Sequence, residues 1–232
     1  MVAPCFEELD CQQTPVGELV LRRRRSPAVS EMVYEVKLND EMLMSSSVTA
    51  GENALATLAL EPRKDRPLEV LIGGLGLGCT AAAALRYPNV RRVVVVELLA
   101  PVIRWHRHRL VPLAETLMSD PRCCLVQGDF FEQAAESAPA CRYDAVLLDI
   151  DHAPDCLLHA DHGRFYASDR LTRLAAGLRP QGVFAIWSAW KPEPAFFETL
   201  ATVFSAVEAH EVAFWNPHVN ETLSNWIVTA EK

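Results

Sequence analysis

Two kinds of apolar pattern divide the chain. Up to about residue 50 the hydrophobic positions alternate weakly with polar ones. Glu18 to Arg22 alternates, and Met32 to Lys37 is rich in strand formers. Asn39-Asp40 is a turn signal, and Glu41 to Ser46 can return as another strand. A small antiparallel sheet is expected here. Residues 1–16 show no period and contain Pro4 and Pro15, so they read as a loose arm. Gly51 to Leu60 predicts a helix, because Ala and Leu favour helix and Leu55, Leu58 and Ala59 share one face. Pro62 and Pro67 bracket a charged linker, which divides the chain into residues 1–61 and 62–232.

Beyond Leu68 the pattern changes to apolar runs separated by helical stretches. Leu68 to Ile72 predicts a buried strand, and Arg92 to Glu97 a second, since four consecutive valines leave no polar face. Leu98 to Met118 predicts one long helix, with Pro101 in its tolerant first turn. Cys123 to Gln127, Ala145 to Leu148 and Val183 to Trp187 predict three more strands. Phe165 to Leu178 and Pro194 to Phe204 predict helices, and Val207 to Phe214 with Trp226 to Thr229 a closing antiparallel pair. Strands alternating with helices make an α/β fold, a doubly wound and mostly parallel seven-stranded sheet.

Composition narrows the picture. A chain of 232 residues that is half apolar can bury one large core. Its formal net charge of −8 makes nucleic acid and anionic membrane poor partners. Arg22 to Arg25 reads as an exposed strand end, and the Arg104 to Arg109 run as the wet face of a helix. No apolar run reaches the ~20 residues that span a bilayer. The first residues carry acids where a signal peptide has bases. A cytoplasmic protein is expected. Seven cysteines (Cys5, Cys11, Cys79, Cys123, Cys124, Cys141 and Cys156) form no C-x-x-C pair and read as reduced core thiols.

The candidate chemistry sits at strand ends. Gly74-Leu75-Gly76-Leu77-Gly78 is a sharp strand-to-helix turn that lets a ligand lie against backbone. The dinucleotide fingerprint needs glycine where Cys79 stands, which argues against a nicotinamide enzyme. Glu97 closes the second strand, where a carboxylate accepts from ribose hydroxyls. Asp129, after Gly128, closes the third strand and can accept from an adenine amino group. Asp149 closes the fourth, beside the crevice where such sheets bind ligands. Asp149 is the first candidate base, followed by Asp151 and His152. His159-Ala160-Asp161-His162 offers ligand atoms but no fourth ligand nearby, so no metal is expected. Trp187 and Trp190 can wall a substrate, and Asn216-Pro217 and Asn220 lie in a loop that can reach the crevice.

This set resembles the S-adenosylmethionine-dependent (class I) methyltransferase fold, and within it the spermidine synthase group. The stretches that carry the likeness are IGGLGLG (72–78), VVVVELLAPVI (93–103), DPRCCLVQGDFFE (120–132), YDAVLLDIDHAP (143–154) and FYASDRLTRLAAGLRPQGVFAI (165–186). The resemblance implies a Rossmann-like sheet preceded by the small β sheet. It implies that Gly74, Gly76 and Gly78 pass the methionine portion of S-adenosylmethionine or its decarboxylated form. Glu97 takes the ribose, Gly128 and Asp129 the adenine, and Asp149 helps deprotonate an attacking amine.

The chain departs from the group at three places. The group's acid in the glycine turn falls on Gly76, its D-S-S-D-P loop becomes Asp149-Ile150-Asp151-His152-Ala153-Pro154, and its Tyr-Gln before a glutamate has no match around Ala50-Gly51-Glu52. The expected function is group transfer to a small-molecule acceptor, with methyl transfer as the main reading. Aminopropyl transfer in polyamine biosynthesis and a non-catalytic nucleoside-binding relative are the alternatives. A homodimer is left open.

Overall fold

The computed structural model of the chain describes residues 6–26, 31–135 and 143–232. Cys5, Cys141 and the first five residues of the expected arm lie outside them. The remainder of that arm is a strand rather than a loose segment. β1 (Phe6–Thr14), β2 (Gly17–Arg25), β3 (Met32–Leu38) and β4 (Glu41–Ser45) form an antiparallel sheet in that order. β1 escapes a sequence reading because its burial is partial along its whole length, so no apolar face announces it. Arg22, Arg23 and Arg24 of β2 are spent inside this sheet, while Arg25 at its end is exposed. Arg22 and Arg24 hold Glu35 at 2.7 and 2.8 Å, and Arg23 holds Glu7 at 2.7 Å.

The α/β unit follows α1 (Ala50–Leu60). Its strands are β5 (Leu68–Gly73), β6 (Val90–Glu97), β7 (Cys123–Gln127), β8 (Tyr143–Leu148), β9 (Leu178–Ser188), β10 (Ala206–Asn216) and β11 (Glu221–Glu231). They form one seven-stranded sheet in the order β10-β11-β9-β8-β5-β6-β7. β7 to β9 and β5, β6 pair in parallel, while β11 and β10 add antiparallel at one edge. The doubly wound architecture follows from the burial of both faces. In β6, Val93 and Val95 pack into one core and Val94 and Val96 into the other. The first core also takes Leu19, Leu21 and Val36 from the N-terminal sheet, and Trp105 donates to Asp10 at 2.6 Å. The small sheet is therefore fixed over one end of the large one.

The long helix expected over residues 98–118 is broken. α3 (Ala100–Arg107) ends where Arg109 takes a left-handed φ of 56° and Leu110 N–H bonds back to Trp105 O at 2.9 Å. α4 (Ala114–Ser119) restarts after Pro112. A short α2 (Cys79–Leu85) follows β5, α5 (Phe130–Ala135) follows β7, and the expected 165–178 helix is a 3-10 turn over Ala160–Tyr166 followed by α6 (Ser168–Gly177). α7 (Pro194–Ala201) precedes the edge pair. Among the described residues no helix is long and apolar enough to cross a membrane.

Candidate active site

The site is built where β5, β6, β7 and β8 end. After β5 the chain turns through Gly74-Leu75-Gly76-Leu77-Gly78, with Leu75 and Leu77 buried and the glycines between them at left-handed φ of 92°, 47° and 88°. The spacing thus buries leucines on one side and leaves bare backbone on the other. A Cβ on Gly74 would stand 2.1 Å from the Asp149 carbonyl oxygen, so the ends of β5 and β8 meet backbone to backbone. A Cβ on Gly76 would stand 2.6 Å from the Met44 sulfur, which β4 lays over the turn.

Glu97 holds this turn from the next strand. Its Oε2 accepts Leu75 N–H at 2.9 Å and its Oε1 accepts Leu99 N–H at 2.8 Å. Burial pushes its carboxyl up, and the backbone donors Leu99 and Leu75 oppose that rise. The backbone N–H groups of Gly76 and Leu98 act on the same carboxylate in the same direction.

His106 supports the turn from beneath. It is fully buried, and its Nε2 lies 2.9 Å from Gly76 O, so that nitrogen carries the proton and donates. Nδ1 has no partner. Burial lowers the ring from its ordinary 6.5, against the bond to Gly76 that raises it. The neutral ring therefore supports the fold fully above pH of about 6.5, and this support is lost as pH falls through the lower folded-state value. Urea midpoints of the wild type should drop between about pH 7.5 and 5 more steeply than those of His106→Gln. Parallel slopes would show that His106 does not report on the turn.

A cavity of about 110 Å³ lies between the turn and the N-terminal sheet, with Glu97, Leu98, Asp129, Phe131 and Ile150 among its walls. Asp129 caps α5 through Oδ1, which accepts Phe131 N–H at 2.8 Å. A second cavity, about 290 Å³, adjoins the first. The two share Leu43, Met44, Gly76, Asp149, Ile150 and Leu158. Three groups of the second cavity act on one another. Asp149 accepts Thr80 Oγ1–H at 2.7 Å, and burial raises its carboxyl against that bond. Glu52, in the first turn of α1, is pushed up to about 8, by burial first and by the Asp149 charge second. Cys79 is pushed up to about 12 by burial and then by Glu52 and Asp149, so it stays a thiol. The two carboxyl groups form a coupled pair that holds a proton near neutral pH.

The other expected residues separate. Asp151 is 5% exposed and its carboxylate is fully engaged by Leu158 N–H at 2.9 Å, His162 Nδ1 at 2.7 Å and Tyr166 O–H at 3.1 Å. It ties the loop after β8 together from below. His162, thus oriented, lies against Phe131 at 4.1 Å and edges the first cavity. His152 lines the second cavity, and its carbonyl accepts Ala189 N–H at 2.7 Å. His159 turns to Asp161, and among the described residues no three potential ligands gather as a metal site. Trp187 and Asn216 line the second cavity, whereas Trp190 lies outside it and bonds Asp155 at 3.2 Å. Gly78, Gly128 and Asn220, expected near the crevice, line neither cavity: a Cβ on Gly78 would meet His106 and Leu117, and one on Gly128 the Gln133 amide.

Sequence reasoning missed Met44, Thr80, His218 and Asn225, met Glu52 only as a position without the group's Tyr-Gln, and weighed His162 only as a metal ligand. Glu52 alone carried a signal, an acid in the first turn of an apolar helix. The others come from elements whose approach to the crevice no local pattern announces.

Comparison with known proteins gives a consistent result. Residues 49–226 match the family model described as the spermine/spermidine synthase domain. The chain is 30% identical over 220 residues to polyamine aminopropyltransferase 2 of Pseudomonas aeruginosa, covering 89% of this chain and 60% of that protein. It is 38% identical over 85 residues to putrescine N-methyltransferase 3 of Nicotiana tabacum, covering 36% of this chain and 21% of that one. The chain thus spans about three fifths or less of the curated relatives named here. In fold it is similar to a spermidine synthase solved with the transition-state analogue AdoDATO, with a TM-score of 0.74, 17% identity, and 97% of this chain and 73% of that one covered. Strand-end carboxylates behind a glycine turn, the added N-terminal sheet and a match over most of the chain agree: this chain belongs to the spermine/spermidine synthase family of the S-adenosylmethionine-dependent methyltransferase fold.

Proposed function

We propose that this chain is an aminopropyltransferase, taking the aminopropyl group of decarboxylated S-adenosylmethionine to a small amine. The observation that carries this is a pair of acids in one cavity: Asp149 lines both adjoining cavities and Glu52 lines the second, where the Asp149 charge helps push its carboxyl up. A nucleoside fits the first cavity. Apolar walls from Leu98 and Ile150 face its ring, Glu97 in the cavity wall takes the ribose hydroxyls, and Asp129 takes the adenine amino group. The backbone of Gly74 and Gly76, which lines the first cavity, passes the sulfonium arm. When bound, the donor supplies a carbon made electrophilic by the adjacent sulfonium.

The protein's own part is to position and deprotonate. Glu52 and Asp149 attract an ammonium into the second cavity. Asp149 takes the proton of the attacking nitrogen, and the bond to sulfur breaks as the new bond to nitrogen forms. Asp151 acts as a positioning residue through His162, and His152 lines the acceptor side. The names of the family's relatives support aminopropyl transfer over the methyl transfer that the sequence favoured.

Methyl transfer from intact S-adenosylmethionine stays as a second reading because of Gly76. The turn offers a thioether from Met44 where the group carries an acid, so nothing there holds an aminopropyl ammonium or repels a methionine carboxylate. The protein incubated with a panel of small amines and either donor should add an aminopropyl unit from the decarboxylated form, read by mass spectrometry. A methyl gain alone selects the second reading. No product and no heat of binding with either donor removes both.

A further inference from the structure

The second cavity has two chemically different ends. The inner end holds the acids Glu52 and Asp149, with Cys79 beside them. The outer end is built from the end of β4 and the β10–β11 turn, two segments far apart in sequence. There His218 Nε2 lies 2.9 Å from Ser47 Oγ, Ser47 Oγ lies 2.9 Å from Ser45 Oγ, and Asn216 Oδ1 accepts His218 N–H at 2.9 Å. Asn225 adds a second amide to the same cavity. The third acid lining the cavity, Asp151, has its carboxylate fully engaged elsewhere. Among the described residues the lining of the outer end therefore consists of hydroxyls, amides and imidazole; Glu221, paired with Asn216 across the β10–β11 turn, does not line the cavity.

We propose, resting on the transferase reading above, that the preferred acceptor is an amine whose far end is a neutral oxygen group, an amino alcohol rather than an α,ω-diamine. The amine end goes to Glu52 and Asp149. A hydroxyl both donates and accepts, so it joins the Ser45–Ser47–His218 network at either kind of partner. A second ammonium only donates and carries a full charge, and the outer end gives it dipoles but no counter-charge. An alkyl end leaves the same polar groups unpaired against it. The specificity of the site thus lies in Ser45, Ser47, Asn216 and His218.

The test compares three acceptors of matched length, 4-aminobutan-1-ol, 1,4-diaminobutane and pentylamine, with one donor at saturation. The amino alcohol should exceed both others in kcat/KM by about tenfold. Asn216→Asp places a carboxylate at the outer end and should move the diamine-to-alcohol ratio about tenfold toward the diamine. A wild type that prefers the diamine, or a ratio unmoved in Asn216→Asp, overturns the proposal. Failure of transfer with every acceptor and both donors counts against the transferase reading instead. In that case the ratio of acceptor binding constants, taken by calorimetry on protein saturated with 5′-methylthioadenosine or on the free protein, decides the acceptor class by the same criterion. Circular dichroism of Asn216→Asp separates a misfolded variant from an altered preference. Should it misfold, Ser47→Asp at the same end takes its place.

Discussion

Asp149→Asn should lower kcat about a thousandfold while nucleoside affinity changes only a few-fold. The asparagine keeps an oxygen for Thr80 Oγ1–H, the partner that Asp149 holds at 2.7 Å, so the geometry at the junction survives. What it loses is the ability to take a proton from the attacking nitrogen. The raised carboxyl of Asp149 also sets the pH dependence. The base is competent only when ionised, so the wild-type rate should climb with pH beyond the ordinary carboxylate range. That limb should vanish in Asp149→Asn.

Glu52→Gln should leave that limb nearly in place, because Glu52 keeps its proton up to about 8 and is already neutral while Asp149 ionises. It should weaken amine binding. The same substitution tests a stability effect of known sign. Glu52 is raised to about 8, so the folded state holds its proton through pH values at which the unfolded chain has released it. Its stabilising contribution is complete below the ordinary value of 4.5 and is lost as pH rises through about 8. Steady-state rates across pH, with nucleoside titrations alongside, decide the matter. A kcat within threefold of wild type in Asp149→Asn would rule out its role as base.

Gly74→Ala should destabilise the fold by about 3 kcal/mol or more, and Gly76→Ala by about 1 to 2 kcal/mol. Both positions have left-handed φ, so both substitutions strain the backbone. The difference lies in what the new methyl meets. At Gly74 it meets the Asp149 carbonyl at 2.1 Å, and that backbone cannot swing aside because Asp149 N–H is bonded to Gly73 O at 2.9 Å and β8 pairs with β5. At Gly76 it meets the Met44 sulfur and methyl at 2.6 and 2.9 Å, the end of a flexible side chain. Adding Met44→Ala should recover part of the Gly76→Ala loss and none of the Gly74→Ala loss. Urea unfolding of the four variants measures this, and equal losses at the two glycines would contradict the backbone contact.

The two glycines also show how far a sequence can be read. The alternation in Gly74-Leu75-Gly76-Leu77-Gly78 announces a turn with one buried side. It does not say which side chain will cover the other. Met44 does so from a strand thirty residues upstream in the chain, and that placement depends on how the small sheet packs over the large one. The break at Arg109 has a similar cause. The helical pattern continues through Leu98 to Met118, but Trp105 and His106 must both bury, one toward Asp10 and one beneath Gly76, and the chain ends its helix to reach the next layer.

The sequence by itself determined the parallel sheet, because Arg92 to Glu97 can bury both faces only inside an α/β stack, and it determined the three strand-end carboxylates, because strand ends are local features. Only the tertiary structure decided which acids act together. Asp151 has the right spacing from Asp149, yet its carboxylate is drawn beneath the loop by Leu158, His162 and Tyr166. Glu52, nearly a hundred residues from Asp149, is the acid in the same cavity whose carboxyl responds to the Asp149 charge. The reason is physical: the ends of β5 and β8 and the first turn of α1 converge through packing of two cores, and the electrostatic coupling of two carboxylates depends on that distance and not on their separation along the chain.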